Sequence, residues 1–244
     1  MADDMTQLRA EQARILALPG RVAWVKLARL NRTAKILRGN AKVLLDHLNR
    51  MDDVGHMLAT TSDQQAFEEF LDETERHLHN YVAAAQSRVD HFRQFARAEW
   101  PEGSPHREEY QRRVDEEFKT SPLHNFVTDL RNLILHVRLP VSTTTETWGP
   151  GAAWSFAVML DSADLLGWDG WSAEAQRYIE ASGNSVDLGR AVRTYTDEVL
   201  AFDRWVAERF IGQHLEEIES YQHALREHQA RLRQLGLFND PEPK

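Results

Sequence analysis

Two stretches of this sequence place mostly apolar residues four or three positions apart, for longer than any strand could use. In the first, Phe67, Leu71, Thr74, Leu78, Tyr81, Ala85, Val89, Phe92 and Phe95 keep that rhythm. In the second, Leu188, Val192, Tyr195, Val199, Phe202, Val206 and Phe210 keep it, and it continues through Leu215, Ile218, Leu225 and Leu232. A 4-3 spacing lays one apolar seam along an α-helix, and a seam of that length leaves water only by facing other helices. The expected fold is mainly α, a helical bundle with long antiparallel helices. Unbroken, the second run would measure about 70 Å at ~1.5 Å per residue, more than a compact domain can cover. Gly212 marks a possible bend. The outer half, 213–235, is expected to project, to pair with the N-terminal helices, or to dimerise.

The remaining segments follow from their punctuation. Residues 5–18 read as a short helix stopped by Pro19-Gly20. Residues 21–50 form a basic helical region in which Lys26, Arg29, Arg32, Lys35, Arg38 and Lys42 recur around Val22, Val25, Ile36, Leu44, Leu45 and Leu48, with Gly39-Asn40 as a candidate break. Thr61-Ser62-Asp63 caps the first long helix and Trp100-Pro101 ends it; residues 107–119 make a short charged helix. After Pro140 the residues turn β-branched (VSTTTETW), pass through Gly149-Pro150-Gly151, and alternate as Trp154, Phe156, Val158 and Leu160. That is a small β-hairpin insertion at about 141–161. Ser172 caps a helix to Ala181, Ser182-Gly183-Asn184 ends it, Ser185 caps the last long element, and FNDPEPK is a disordered tail. The expected organisation is a basic helical region at 1–60, a helical core at 61–212, and a projecting helix end with its tail at 213–244.

Composition narrows the function classes. The chain has no cysteine, so disulfides, thiolate metal sites and cysteine nucleophiles are excluded. It has neither an apolar run long enough to span a membrane nor a signal-peptide core, and the expected location is cytoplasmic. A net charge of −9 argues against a generic nucleic-acid binder, yet residues 1–50 hold ten Lys/Arg against four Asp/Glu. That basic region reads either as a surface for RNA backbone or an acidic partner, or as a solvated face balancing an acidic body.

The stretch 121–140, SPLHNFVTDLRNLILHVRLP, carries the chemistry. Ser121-Pro122 is a helix start and Pro140 a stop, with Phe126, Val127, Leu130, Leu133, Ile134 and Val137 as the buried stripe. At about 100° per residue, Asn125, Asp129, Asn132 and His136 stack in one polar column, while Arg131 projects about 140° from His136. Arg131-Asn132-Leu133-Ile134-Leu135-His136 spells R-N-x-x-x-H. This pattern resembles the signature of the HEPN superfamily, all-helical domains of which many are ribonucleases. The capped helix FVTDLRNLILHVRLP is similar to bacterial proteins of that kind, and HNYVAAAQSRVDHFR resembles the helix that precedes the motif in HEPN bundles. Arg209…His214 and Arg50…His56 have similar spacing but lack the asparagine.

The resemblance implies a metal-independent endoribonuclease with no cofactor, whose catalytic residues are Arg131, Asn132 and His136. It also implies RNA as substrate, a composite site between two copies in a homodimer, toxin or phage-defence biology, and a possible antitoxin or regulatory protein partner. The chemistry is coherent. RNA supplies its own 2′-hydroxyl nucleophile; a histidine exchanges protons near neutral pH, and an arginine fork stabilises the charge gathering on the phosphate. Because Arg131 and His136 diverge around the helix, two copies facing each other would be needed to pool them on one phosphate. The alternative is a non-catalytic helical interaction or dimerisation module. His77, His79 and His91 read as packing or surface histidines, and Trp168 and Trp171 as core anchors rather than base-stacking platforms.

Overall fold

Ten helices and three short strands follow one another in a computed structural model that describes residues 2–140, 142–149 and 152–237. The helices are α1 (Ala2–Leu16), α2 (Pro19–Asn49), α3 (Val54–Thr61), α4 (Gln64–Glu99), α5 (Pro105–Val114), α6 (Pro122–His136), α7 (Ser162–Leu166), α8 (Ala173–Ala181), α9 (Leu188–Gln213) and α10 (Leu215–Gln234). Strands β1 (Ser142–Gly149), β2 (Ala152–Asp161) and β3 (Ser185–Asp187) form one antiparallel sheet in that order. The fold is mainly α with a small sheet, as the 4-3 seams require. The expected tail at 238–244 and the Pro150-Gly151 turn lie outside the described residues.

Caps explain most boundaries. Asp53, Asp63, Ser104, Ser121, Asp161 and Ser172 each accept a hydrogen bond from the backbone N–H three residues on, satisfying donors that the first helical turn leaves free. Departures from expectation have local causes. Gly39-Asn40 does not break α2, because Asn40 Nδ2 returns a bond to the Ile36 carbonyl inside the helix. The buried seam of α2 is Ala23, Leu27, Leu30, Ala34, Leu37, Ala41, Leu44 and Leu48, a strict 4-3 alternation, which leaves Val22 and Ile36 exposed. The last long element is two helices, broken at His214 rather than bent at Gly212. Ser185 belongs to β3, whose pairing with β2 adds a strand to the expected hairpin, and Asp187 takes over the capping with an acceptor 2.8 Å from Arg190 N.

The described residues divide into two compact units, one of residues 2–31 with 204–237 and one of residues 32–203. In the first, α1 lies against α10: the Glu11 carboxylate is 3.2 Å from Nδ1 of buried His228 and 3.5 Å from Arg231. Gly20 meets the backbone of Glu217 so closely that a Cβ would fall 1.8 Å from its carbonyl oxygen. The glycine thus sits in the first turn of α2 because only a hydrogen fits between the two backbones there.

In the larger unit α4 is the central element, burying Phe70, Thr74, Leu78, Tyr81, Ala85, Arg88, Phe92 and Ala96. Tyr81 Oη donates to the Val192 carbonyl (3.2 Å) and bonds Thr196 Oγ1 (2.9 Å), fixing α4 to α9. One residue interrupts the apolar seam. Arg88 is fully buried, ion-paired and hydrogen-bonded to Asp203 of α9, bonded to Thr33 of α2, and laid over the Phe92 ring at 3.9 Å. Burial pushes its pKa down while the Asp203 carboxylate pulls it back up.

Two stability outcomes follow. Asp203→Ala strands the Arg88 charge and is expected to lower the unfolding free energy by about 3–5 kcal/mol in urea titrations, whereas Arg88→Met with Asp203→Leu restores most of it. Gly20→Ala forces two helix backbones apart and is expected to lose about 1–3 kcal/mol by the same measurement.

Candidate functional site

Helix α6 is held on three sides before its motif is presented. Phe126, Val127, Leu130, Leu133 and Ile134 are buried. Phe126 stacks on Trp171 (centroids 5.5 Å apart) and Tyr178 (4.9 Å). Asp129 Oδ2 accepts from both the backbone N–H (2.8 Å) and the hydroxyl (2.7 Å) of Ser172, the residue that caps α8. At the other end Arg138 donates to the Asp164 carboxylate and to its carbonyl, both at 2.7 Å, pinning the chain as it leaves the helix. The upper half of the polar column is therefore structural: Asn125 Nδ2 binds the carbonyls of Lys119 (3.1 Å) and Ser121 (2.9 Å), and Asp129 serves α8.

The lower half is a different case. Arg131 Nη1 donates to Asn132 Oδ1 at 3.0 Å and lies 3.3 Å from His136 Nε2. The expected divergence of Arg131 and His136 is corrected here: the three motif residues converge within one chain. The angle between their Cα–Cβ bonds is offset by the length of the arginine arm and by the backward lean of a helical side chain, which carries the His136 ring over the preceding turn. Because a guanidinium only donates, Nε2 is the acceptor in this contact and the ring proton sits on Nδ1. His136 is exposed, while Arg131 and Asn132 are half-buried. Arg131 has no carboxylate partner among the described residues, and its Nε is buried without a protein acceptor.

Arg131 also lines a cleft of about 270 Å³ formed with α4, where Gln86, Ser87, Asp90, His91 and Gln94 face it. Sequence reasoning missed this wall. His91 reads alone as a surface histidine, and nothing in its spacing ties it to Arg131 on another helix. The Arg50…His56 pair separates into other roles: Arg50 bonds His47, while the backbone N–H of His56 bonds the Asp53 cap. Trp171 is buried and donates Nε1–H to the Leu165 carbonyl at 2.6 Å, and Trp168 packs edge-on against it, so both are anchors. Among the described residues no group of three His, Asp or Glu is placed to hold a metal ion, and no helix is long and apolar enough to cross a membrane. No family model, curated protein or solved structure matches the chain.

A second polar cluster surrounds buried His47. Its Nδ1 accepts from Arg50 Nη2 at 2.6 Å, so Nε2 carries the proton and donates to the Phe70 carbonyl at 3.0 Å. Both ring nitrogens are thus committed to a neutral imidazole, and the edge of the His77 ring approaches at 5.3 Å. Burial is the main cause that pushes the pKa of His47 down from 6.5, and it does the same for His77 and for His124, where the Glu198 carboxylate opposes it. A lowered folded value means that the unfolded chain binds more protons below pH 6.5. Stability is therefore complete above that pH and lost as the pH falls. Each histidine contributes a slope of up to about 1.4 kcal/mol per pH unit. Urea midpoints measured from pH 7.5 to 5 are expected to decline, and His47→Gln to flatten the decline.

Proposed function

We propose that this protein is a metal-independent endoribonuclease of HEPN type, acting through Arg131, Asn132 and His136. The observation that carries this reading is the convergence of an unpaired guanidinium and an exposed imidazole, 3.3 Å apart, at the end of a rigidly held helix. His136 Nε2 removes the proton from a ribose 2′-hydroxyl, whose oxygen attacks the adjacent phosphorus. Arg131, aligned by Asn132, holds the non-bridging oxygens as charge builds on them. The P–O5′ bond breaks, the departing oxygen takes a proton, and the products are a 2′,3′-cyclic phosphate and a 5′-hydroxyl.

In a homodimer the histidine of the second copy supplies that proton. Val137, expected in the buried stripe, instead lies just past the end of α6 and is exposed (57%), as is Leu139 (44%); two apolar side chains directly after the motif favour such a contact. Such an enzyme would act in the cytoplasm, and the resemblance supports toxin or phage-defence biology under control of an inhibitory protein partner. A second reading, a non-catalytic helical interaction module, is supported by Ile36 and Val43, exposed seven residues apart on α2.

Purified protein is expected to cleave single-stranded RNA in EDTA and to leave cyclic phosphate ends. Arg131→Ala and His136→Ala should each lower the rate by about 10²–10⁴-fold, and Asn132→Ala by less. Cleavage that persists unchanged in the first two variants would remove the motif from the mechanism; no cleavage by any form would favour the interaction module.

A further inference from the structure

We infer that a separate cavity, between α4, α5, the π-helical turn Asp115–Lys119, α6 and α9, binds a small organic anion bearing a flat aromatic ring. The cavity encloses about 480 Å³, inside the ~300–1,000 Å³ range of small-molecule sites. It shares no lining residue with the Arg131 cleft.

Its walls are rings. Phe118 meets Phe202 edge-on at 4.9 Å, and His124 stands 4.4 Å from Phe118 and 4.6 Å from Tyr195. Tyr110 closes another side, 5.7 Å from Phe202. Such surfaces receive a flat apolar group through stacked and edge-on contacts.

Its charged groups are mostly of one sign, beside the neutral Gln111, Asn125 and Thr128. Arg93, Arg97, Arg107 and Lys119 line the cavity against a single carboxylate, Asp115, in a chain whose net charge is −9. Asp115 engages Lys119 at 3.4 Å, and Arg93 reaches Asp90 at 3.4 Å. The other two arginines have no carboxylate among the described residues. Arg107 Nη1 is buried without a protein acceptor, and such a nitrogen gains most from an anionic oxygen. Burial raises the Tyr110 pKa against the opposing field of Arg107, Arg93, Arg97 and Arg88, so four guanidinium charges bear on one phenol, three of them from the cavity lining. Apolar walls with converging cations are complementary to an aromatic acid or an aromatic phosphate monoester, whose shared feature is a ring bearing an anionic oxygen group.

Isothermal titration of the full chain with 1-naphthoate and 1-naphthyl phosphate separates the two sources. At least one is expected to bind below about 1 mM, and the tighter of the pair identifies the anionic group. Acetate, inorganic phosphate and uncharged 1-naphthalenemethanol are each expected to bind at least about tenfold more weakly, as each lacks the ring or the charge. Arg107→Gln should weaken binding about tenfold, and so should Arg97→Gln, whose exposed side chain makes the variant safe for folding. Failure of both naphthyl compounds to bind, equal binding of the ring-free anions, or unchanged affinity in Arg97→Gln and Arg107→Gln would each overturn the inference. RNA cleavage is not the readout, so this result stands apart from the ribonuclease reading.

Discussion

A fully buried guanidinium, Arg88, organises the larger unit. An isolated charge in an apolar interior is strongly unfavourable, so the helices around it must arrive in a definite register to supply Asp203 from α9, Thr33 from α2 and the Phe92 face from α4 itself. Hydrophobic seams alone permit a helix to slide by one turn at modest cost. A buried ion pair does not, because a slipped register leaves both charges unpaired. The pair therefore reads as a device for registry more than for stability. The Tyr81–Thr196 bond, about two turns away along both helices, repeats the same constraint.

That constraint also explains how both candidate sites arise from one helix. With α4 fixed, the residues at 83, 86, 87, 90, 91 and 94 face the Arg131 end of α6, while Val89, Phe92, Arg93 and Arg97 face the aromatic cavity. The second support of α6 is independent. Asp129 caps α8 through Ser172, so the helix that carries the motif is anchored by its own polar column and not only by its apolar stripe.

The helical class was legible because a 4-3 rhythm has no other economical use, and the caps at Asp63, Ser121 and Ser172 were legible because their chemistry is local. What escaped was non-local. Arg88 occupies a seam position, but sequence spacing favours its apolar neighbour Val89 and cannot reveal a carboxylate 115 residues away. Strand β3 is three residues long and exists only because β2 offers it an edge. At the motif, residue identities were readable, yet the divergence computed from helix angles was wrong for Arg131 and His136. The angle between Cβ atoms says little about the head of a side chain with four rotatable bonds. The cavity was invisible for the opposite reason: its residues come from four α-helices and the turn Asp115–Lys119, and no one element shows the excess of cations.

The two sites touch through a single polar contact, and its magnitude decides whether they communicate. Arg93 lines the cavity and Asp90 lines the cleft, 3.4 Å apart, with more than half of the arginine and half of the aspartate side chain open to solvent. An exposed pair of this kind contributes at most about 1 kcal/mol and is screened by salt. An anion that drew Arg93 into the cavity would thus alter the field at Arg131 by no more than about fivefold in any equilibrium. Stronger coupling would require α4 to shift as a body, and the buried Arg88–Asp203 pair opposes that motion. The same interaction that positions both sites therefore also insulates them from each other.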